Sequence, residues 1–145
     1  MTGLIAAHSG LRYIILLLLV IAVVNALLNL KSGKFSKKDK LINLFAMVFL
    51  HIQLLLGLVL YFISPKVKFG ADTMSENIFR FFTVEHILLM LIGIILVTLG
   101  YSKSKRQEDL NRKHQLVLRY YGLGLIIIFL AIPWPFIYNV GAGYF

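Results

Sequence analysis

The chain contains no cysteine, which excludes disulfides, thiolate metal sites and cysteine nucleophiles at the outset. It is also poor in charge. Only 14% of its 145 residues are Asp, Glu, Lys or Arg, against roughly 25% in a soluble domain, and those few are confined to short segments. No Walker-type loop, nucleophile–base pairing or carboxylate pair is visible, so hydrolase and phosphoryl-transfer chemistry has no support. Residues 1–10 hold no basic n-region, and no small-residue cleavage site follows the first long apolar run. The first span is therefore expected to stay in the mature protein and not to act as a cleavable signal.

What is present is overwhelmingly apolar. Hydrophobic residues make up 59% of the chain and the mean hydropathy is +0.85. A charge at the centre of a bilayer costs roughly 2.5–3.5 kcal/mol even on lenient scales, so a membrane solvent explains both the excess and the shortage. Crossing the hydrocarbon takes ~20 apolar helical residues, and four runs qualify: 11–30, 41–63, 81–101 and 116–138. They are continuous, not alternating, and an open sheet edge cannot face lipid, which argues against strands. The expected fold is an all-α membrane protein, one domain over 1–145, built as a four-transmembrane-helix bundle. The connectors 31–40, 64–80 and 102–115 are too short to be domains, and no convincing internal repeat relates the two halves.

The net charge of +9 does not read as nucleic-acid binding, because the basic residues sit between apolar spans, where topology and anionic lipid account for them. Connector one holds Lys31, Lys34, Lys37, Lys38 and Lys40. Connector three holds Lys103, Lys105, Arg106, Arg112 and Lys113, with Arg119 just inside the next helix. Connector two has only Lys66, Lys68 and Arg80. The positive-inside rule then places connectors one and three in the cytoplasm and both termini outside, on the periplasmic side of a bacterial inner membrane. Tyr13, Tyr61, Phe62, Phe81, Phe82 and Trp134 lie near predicted outer helix ends, and Pro133 and Pro135 are expected to end or kink helix four.

Function in such a chain is sought among the few polar groups inside the spans. Four histidines fall on four helices. His8 is placed just before span one, His51 in the middle of span two, His86 early in span three and His114 at the start of span four. His51, among Val48, Phe49, Leu50, Ile52, Leu54 and Leu55, needs partners for its ring nitrogens where water offers little. His86 follows Glu85; Met90 lies one turn on and Gly93 two turns on, so a planar macrocycle held by His86 would find backbone within reach at Gly93. His8 and Arg12 stack at i and i+4. Arg12 is a candidate partner for Glu85 or for haem propionates, and Glu85 is a candidate proton or quinone contact. Asn25 and Asn29 form a second polar stripe near Asn43.

Bis-histidine haem b uses these features together, since imidazoles from facing helices can hold iron in a bundle core. His51 with His86 is the first pairing and His8 with His86 the competing one. His51 reads as deeper than His86 by about five residues, or ~7 Å, which tilt could absorb. One haem is the ceiling, because His114 stands alone on the inner side. The plainer reading stays open beside it: an interhelical hydrogen-bond role for His51, glycines used for packing, a snorkelling Arg12, and His8 and His114 solvated or facing lipid.

The segments His8-Ser9-Gly10-Leu11-Arg12-Tyr13, His51-x-Gln53-x-x-x-Gly57-Leu58-x-Leu60-Tyr61, Glu85-His86-x-x-x-Met90 and Ile132-Pro133-Trp134-Pro135-Phe136 together resemble small four-span bacterial proteins of a "cytochrome B" family, over nearly the whole chain. The resemblance implies a b-type haem and membrane electron transfer. Diheme quinol-oxidising cytochromes usually carry two histidine pairs at two depths, and this sequence departs from that pattern. The leading expectation is thus a monohaem cytochrome b subunit exchanging electrons with quinol and a membrane-protein partner, or within a homo-oligomer. Two alternatives are a non-catalytic accessory subunit of a larger membrane complex and a proton or metal pathway through His8, Arg12, Glu85 and His86.

Overall fold

The computed structural model describes residues 1–138 and Val140, apart from the side chain of Asp72. Four long helices account for most of it: α1 (Thr2–Leu28), α2 (Lys37–Ile63), α3 (Asn77–Arg106) and α4 (Leu110–Ala131). Each is long and apolar enough to cross a membrane, and no strand occurs among the described residues. Their outward faces carry Leu17, Leu55, Phe62, Leu88, Leu99 and Ile126, all exposed. In water such apolar faces would be an aggregation liability; in lipid they are the solvent-facing surface.

The helices begin earlier than hydropathy alone predicts. α1 starts at Thr2, so His8 lies inside it and not before it. α4 starts at Leu110, where the Asp109 carboxylate accepts the main-chain N–H groups of Asn111 and Arg112, a cap that ends the turn. It stops at Ala131, short of the predicted 138, because Pro133 forces Ile132 into extended backbone at ψ 133°.

Around the bundle, α1 packs on α2 and α4, and α3 packs on α4; the α2–α3 seam has the least contact of the four. The core runs through Ile15, Leu19, Leu50, Val97, Val117, Tyr121 and Ile128. Without a hydrophobic drive between helices in lipid, close backbone approach and hydrogen bonds do the joining. α3 and α4 meet through glycines: a Cβ on Gly124 would stand 2.9 Å from Val97 Cγ2 and 3.1 Å from the Gly93 carbonyl oxygen.

At one end of the bundle, polar side chains lock α1, α2 and α4 together. Ser36 and Asp39 form a reciprocal capping box at the start of α2, and the other oxygen of Asp39 accepts from Asn25 Nδ2 at 2.7 Å. Asn29 in turn donates to the Asn25 carbonyl. Gly33, at φ 65°, makes the left-handed turn between α1 and α2 that favours glycine; its N–H donates to Asn111 Oδ1. Because Asp39 serves both a cap and an interhelical bond, Asp39→Ala should lower unfolding stability by roughly 2–3 kcal/mol. Reversible unfolding in mixed micelles measures this, and a loss below ~0.5 kcal/mol, the level of a neutral surface change, would contradict it.

α3 is not uniformly α-helical. Phe81–Glu85 forms a π turn, with the His86 N–H reaching back to the Phe81 carbonyl. The widened turn leaves the Thr83 carbonyl to accept from Tyr61 Oη of α2 at 2.9 Å. Such turns recur at functional sites, and this one immediately precedes His86.

Candidate functional site

The end of α4 sets up the site. In an α-helix the carbonyl of residue i accepts from the N–H of i+4. For Phe129 and Ala131 that donor would come from Pro133 and Pro135, which have no N–H. Two side chains take the places instead. Trp134 Nε1–H donates to the Phe129 carbonyl at 2.9 Å, and His86 Nδ1–H donates to the Ala131 carbonyl at 2.7 Å. A carbonyl only accepts, so Nδ1 carries the proton and the Nε2 lone pair of a neutral His86 is left available.

Facing His86 is His8. The two ring centres lie 6.4 Å apart in an edge-to-face arrangement. They come from helices at opposite corners of the bundle, so the pair spans its interior. His8 Nδ1 is buried with no hydrogen-bond partner among the described residues. The His8 ring lies against Gly57 of α2: a Cβ there would stand 3.1 Å from His8 Cε1 and 3.7 Å from its Nδ1. Gln53, one turn away, donates to the His8 carbonyl at 2.8 Å and holds α1 and α2 at this level. Phe81 and Phe82 flank His86, with ring centres 5.9 Å and 6.3 Å from it.

Arg12 is the buried charge of this end. It is 8% exposed, donates to Tyr13 Oη at 3.1 Å, and places its guanidinium 5.6 Å from the centre of the Trp134 ring. The indole is there because Pro133 turns the chain back over α1. The expected pairing of Arg12 with Glu85 is not what the structure contains. Glu85 pairs with Arg80 at 2.7 Å, both side chains more than a third exposed, and so it lies off the His8–Arg12–His86 group.

Three other sequence candidates lie elsewhere. His51 Nδ1–H donates to the Met47 carbonyl at 2.8 Å, and its Nε2 is 3.4 Å from Thr98 Oγ1. Thr98 is twelve residues beyond His86 (98 − 86 = 12), a rise of ~18 Å along α3. His51 and His86 are therefore not brought together at one level, and the ~7 Å offset expected from sequence is too small. His51 instead borders an open, lipid-side groove with Thr98, Tyr101 and Ser102. Gly93 does not face the histidine pair: its Cβ direction points into Ile128 Cγ1 at 2.5 Å, which makes it a helix-packing glycine. Met90 packs against the core.

His114, expected to be solvated or facing lipid, is 1% exposed. Its Nε2–H donates to the Lys34 carbonyl at 2.9 Å, and its ring lies 4.8 Å from that of Phe35. It fastens the α1–α2 connector onto α4. No signal in the sequence links residues so far apart; by contrast, the Ala131–Pro135 spacing was there to be read as a vacant carbonyl. No family model matches the sequence, and no curated protein or solved structure is significantly similar to it.

Proposed function

We propose that this chain is a membrane-bound monohaem b-type cytochrome subunit that takes part in electron transfer, with His8 and His86 as the residues that would hold the haem. The observation that carries the reading is the spacing of the two rings across the bundle interior. A first-row metal bonds an imidazole nitrogen at ~2 Å, and the nitrogen lies ~1 Å from the ring centre, so two axial imidazoles put their centres roughly 6 Å apart. The 6.4 Å between His8 and His86 fits that demand. Among the described residues no group of three or more metal-ligating side chains converges, and a bis-imidazole haem asks for only two.

The chain's own residues fit the group in further ways. The Ala131 carbonyl fixes the tautomer and direction of His86 and makes its free nitrogen a better donor to a metal, the second-shell arrangement found behind most metal-bound histidines. His8 brings a buried ring nitrogen, Nδ1, with no hydrogen-bond partner among the described residues. Gly57 lets the His8 ring lie directly on the α2 backbone, where any side chain would crowd it. Arg12, buried one turn from His8, supplies a positive charge that stabilises added electron density in a low-dielectric interior. A b-type haem bound here would accept and release single electrons, at a potential set by its axial ligands and surroundings. Glu85, exposed near the membrane boundary and paired with Arg80, is placed to meet a quinone headgroup or water at that surface. The inner membrane of a bacterium, with the histidine-pair end outward, is the setting that the basic connectors favour.

The test is a visible spectrum of the full-length protein, expressed with ample haem and purified in mild detergent. A reduced-minus-oxidised b-type band at one haem per chain is expected. A colourless, folded preparation overturns the reading, and two haems per chain overturn the single-site form of it.

A further inference from the structure

At the end of the bundle away from the histidine pair, the α3–α4 turn carries a cleft of about 450 Å³. Four cations line it, Lys103 and Arg106 from α3 and Arg112 and Arg119 from α4, with the amides of Gln107 and Gln115 between them and Leu116 also in the wall. The spacing explains the convergence: 112, 115, 116 and 119 share one face of α4, and 103 and 106 share one face of α3, with Gln107 just past its end. No carboxylate lines the cleft. The neighbouring Asp109 is committed to capping α4, and no ion pair joins Arg106, Arg112 or Arg119 to an acid among the described residues.

Topology alone asks for basic residues in the connector, and Lys31, Lys34, Lys37, Lys38 and Lys40 meet that need around the first one. The α3–α4 group differs in form. Arg119 stands nine residues into α4 (119 − 110 = 9), ~14 Å along the helix, yet on the same face as Arg112. The two walls are held in register by Gly100, where a Cβ would meet Tyr120 Cβ at 2.5 Å, and Lys103 Nζ is positioned by a 2.6 Å bond to Tyr120 Oη. The four cations are exposed around an open cleft, so their charge is available to a ligand from outside, and guanidinium forks match phosphate oxygens two at a time.

We infer that this cleft binds a phosphate-bearing anion, supplied either by the headgroup of an anionic phospholipid or by free phosphate. Basic pockets between membrane helices take such headgroups. The site is independent of the histidine pair and stands whether or not the chain carries haem.

Native mass spectrometry of the delipidated full-length protein, titrated with phosphatidylglycerol, phosphatidylcholine and inorganic phosphate, tests the inference. Phosphatidylglycerol is expected to bind in preference to phosphatidylcholine. Its affinity should fall on the order of tenfold in Arg112→Gln/Arg119→Gln, since each basic residue near an anionic surface contributes measurably, and should stay near wild type in Lys37→Gln/Lys38→Gln, which removes equal charge elsewhere. If inorganic phosphate displaces the lipid, free phosphate is the ligand; if it does not, the headgroup is. Equal binding of the two lipids with no binding of phosphate, or an arginine variant no weaker than the lysine variant, overturns the inference. Should the double variant fail to fold, Gln115→Glu, which sets a carboxylate in the cleft at an exposed position, carries the same expectation.

Discussion

His8→Ala and His86→Ala should each yield folded, colourless protein, whereas His51→Ala should keep the full b-type band. The contrast follows from placement. His8 and His86 face each other at 6.4 Å, so removing either takes away one of the two groups that would hold the haem, and its weaker hold should show as loss of the band during purification. His51 stands opposite Thr98, ~18 Å along α3 from His86, too far to share an iron with it. Losing its ring sacrifices one bond to the Met47 carbonyl and costs about 1 kcal/mol of stability, not colour. The reverse pattern, with colour lost in His51→Ala and kept in His8→Ala, would place the cofactor deeper in the bundle and remove the proposed pair. His114→Ala separates the two kinds of loss from the other side: it should destabilise the fold, because a ring only 1% exposed and its bond to the Lys34 carbonyl are lost and a cavity is left, without shifting the spectrum of the protein that remains folded.

Gly124→Leu is expected to have the largest effect on the fold. The first added carbon would meet Val97 Cγ2 at 2.9 Å and the Gly93 carbonyl oxygen at 3.1 Å, and the carbonyl belongs to a helix backbone that cannot step aside alone. Overpacking of this kind costs roughly 1–3 kcal/mol where side chains can adjust, and more where two backbones must separate. A loss of at least ~3 kcal/mol, or failure to accumulate in the membrane, is the expected result. Gly122 is the control on the same helix. Nothing lies within 4 Å of its Cβ position, so Gly122→Leu should be neutral or gain up to about 0.8 kcal/mol from helix propensity. Equal melting behaviour of the two variants would show that the α3–α4 contact is not what holds the bundle.

The number and rough position of the helices were legible because hydropathy over ~20 residues is a strong signal. Their ends were less so. Residues 2–10 include Gly3, Gly10 and Ser9, poor helix formers on their own, and join α1 only because the bundle continues past them. Among site residues, both histidine pairings could be drawn from the sequence, but choosing between them required knowing how far α2 slides along α3. Hydropathy places span ends only to within a few residues, and here the error amounted to a change of level. The Arg12–Trp134 contact and the seat of His114 depend on chain segments that meet only in three dimensions. The π turn has no sequence marker at all. One feature was present and could have been used: Pro135 four residues after Ala131 announces a carbonyl in want of a donor, and a histidine on the neighbouring helix is a natural one.

The uneven seams of the bundle bear on where it would open first. α3 and α4 are joined at glycines with no slack, and α1 is clamped to α2 through Asn25, Asp39 and Gln53. Between α2 and α3 the ties near the histidine pair, among the described residues, gather on Thr83: Tyr61 reaches for its carbonyl, which the π turn set free, and the Lys68 main chain just past α2 bonds its hydroxyl. The seam with the least contact is thus also the one held at this end by a single threonine, so Thr83→Val, which keeps the carbonyl and removes the hydroxyl, should loosen α2 from α3 before any other pair of helices parts.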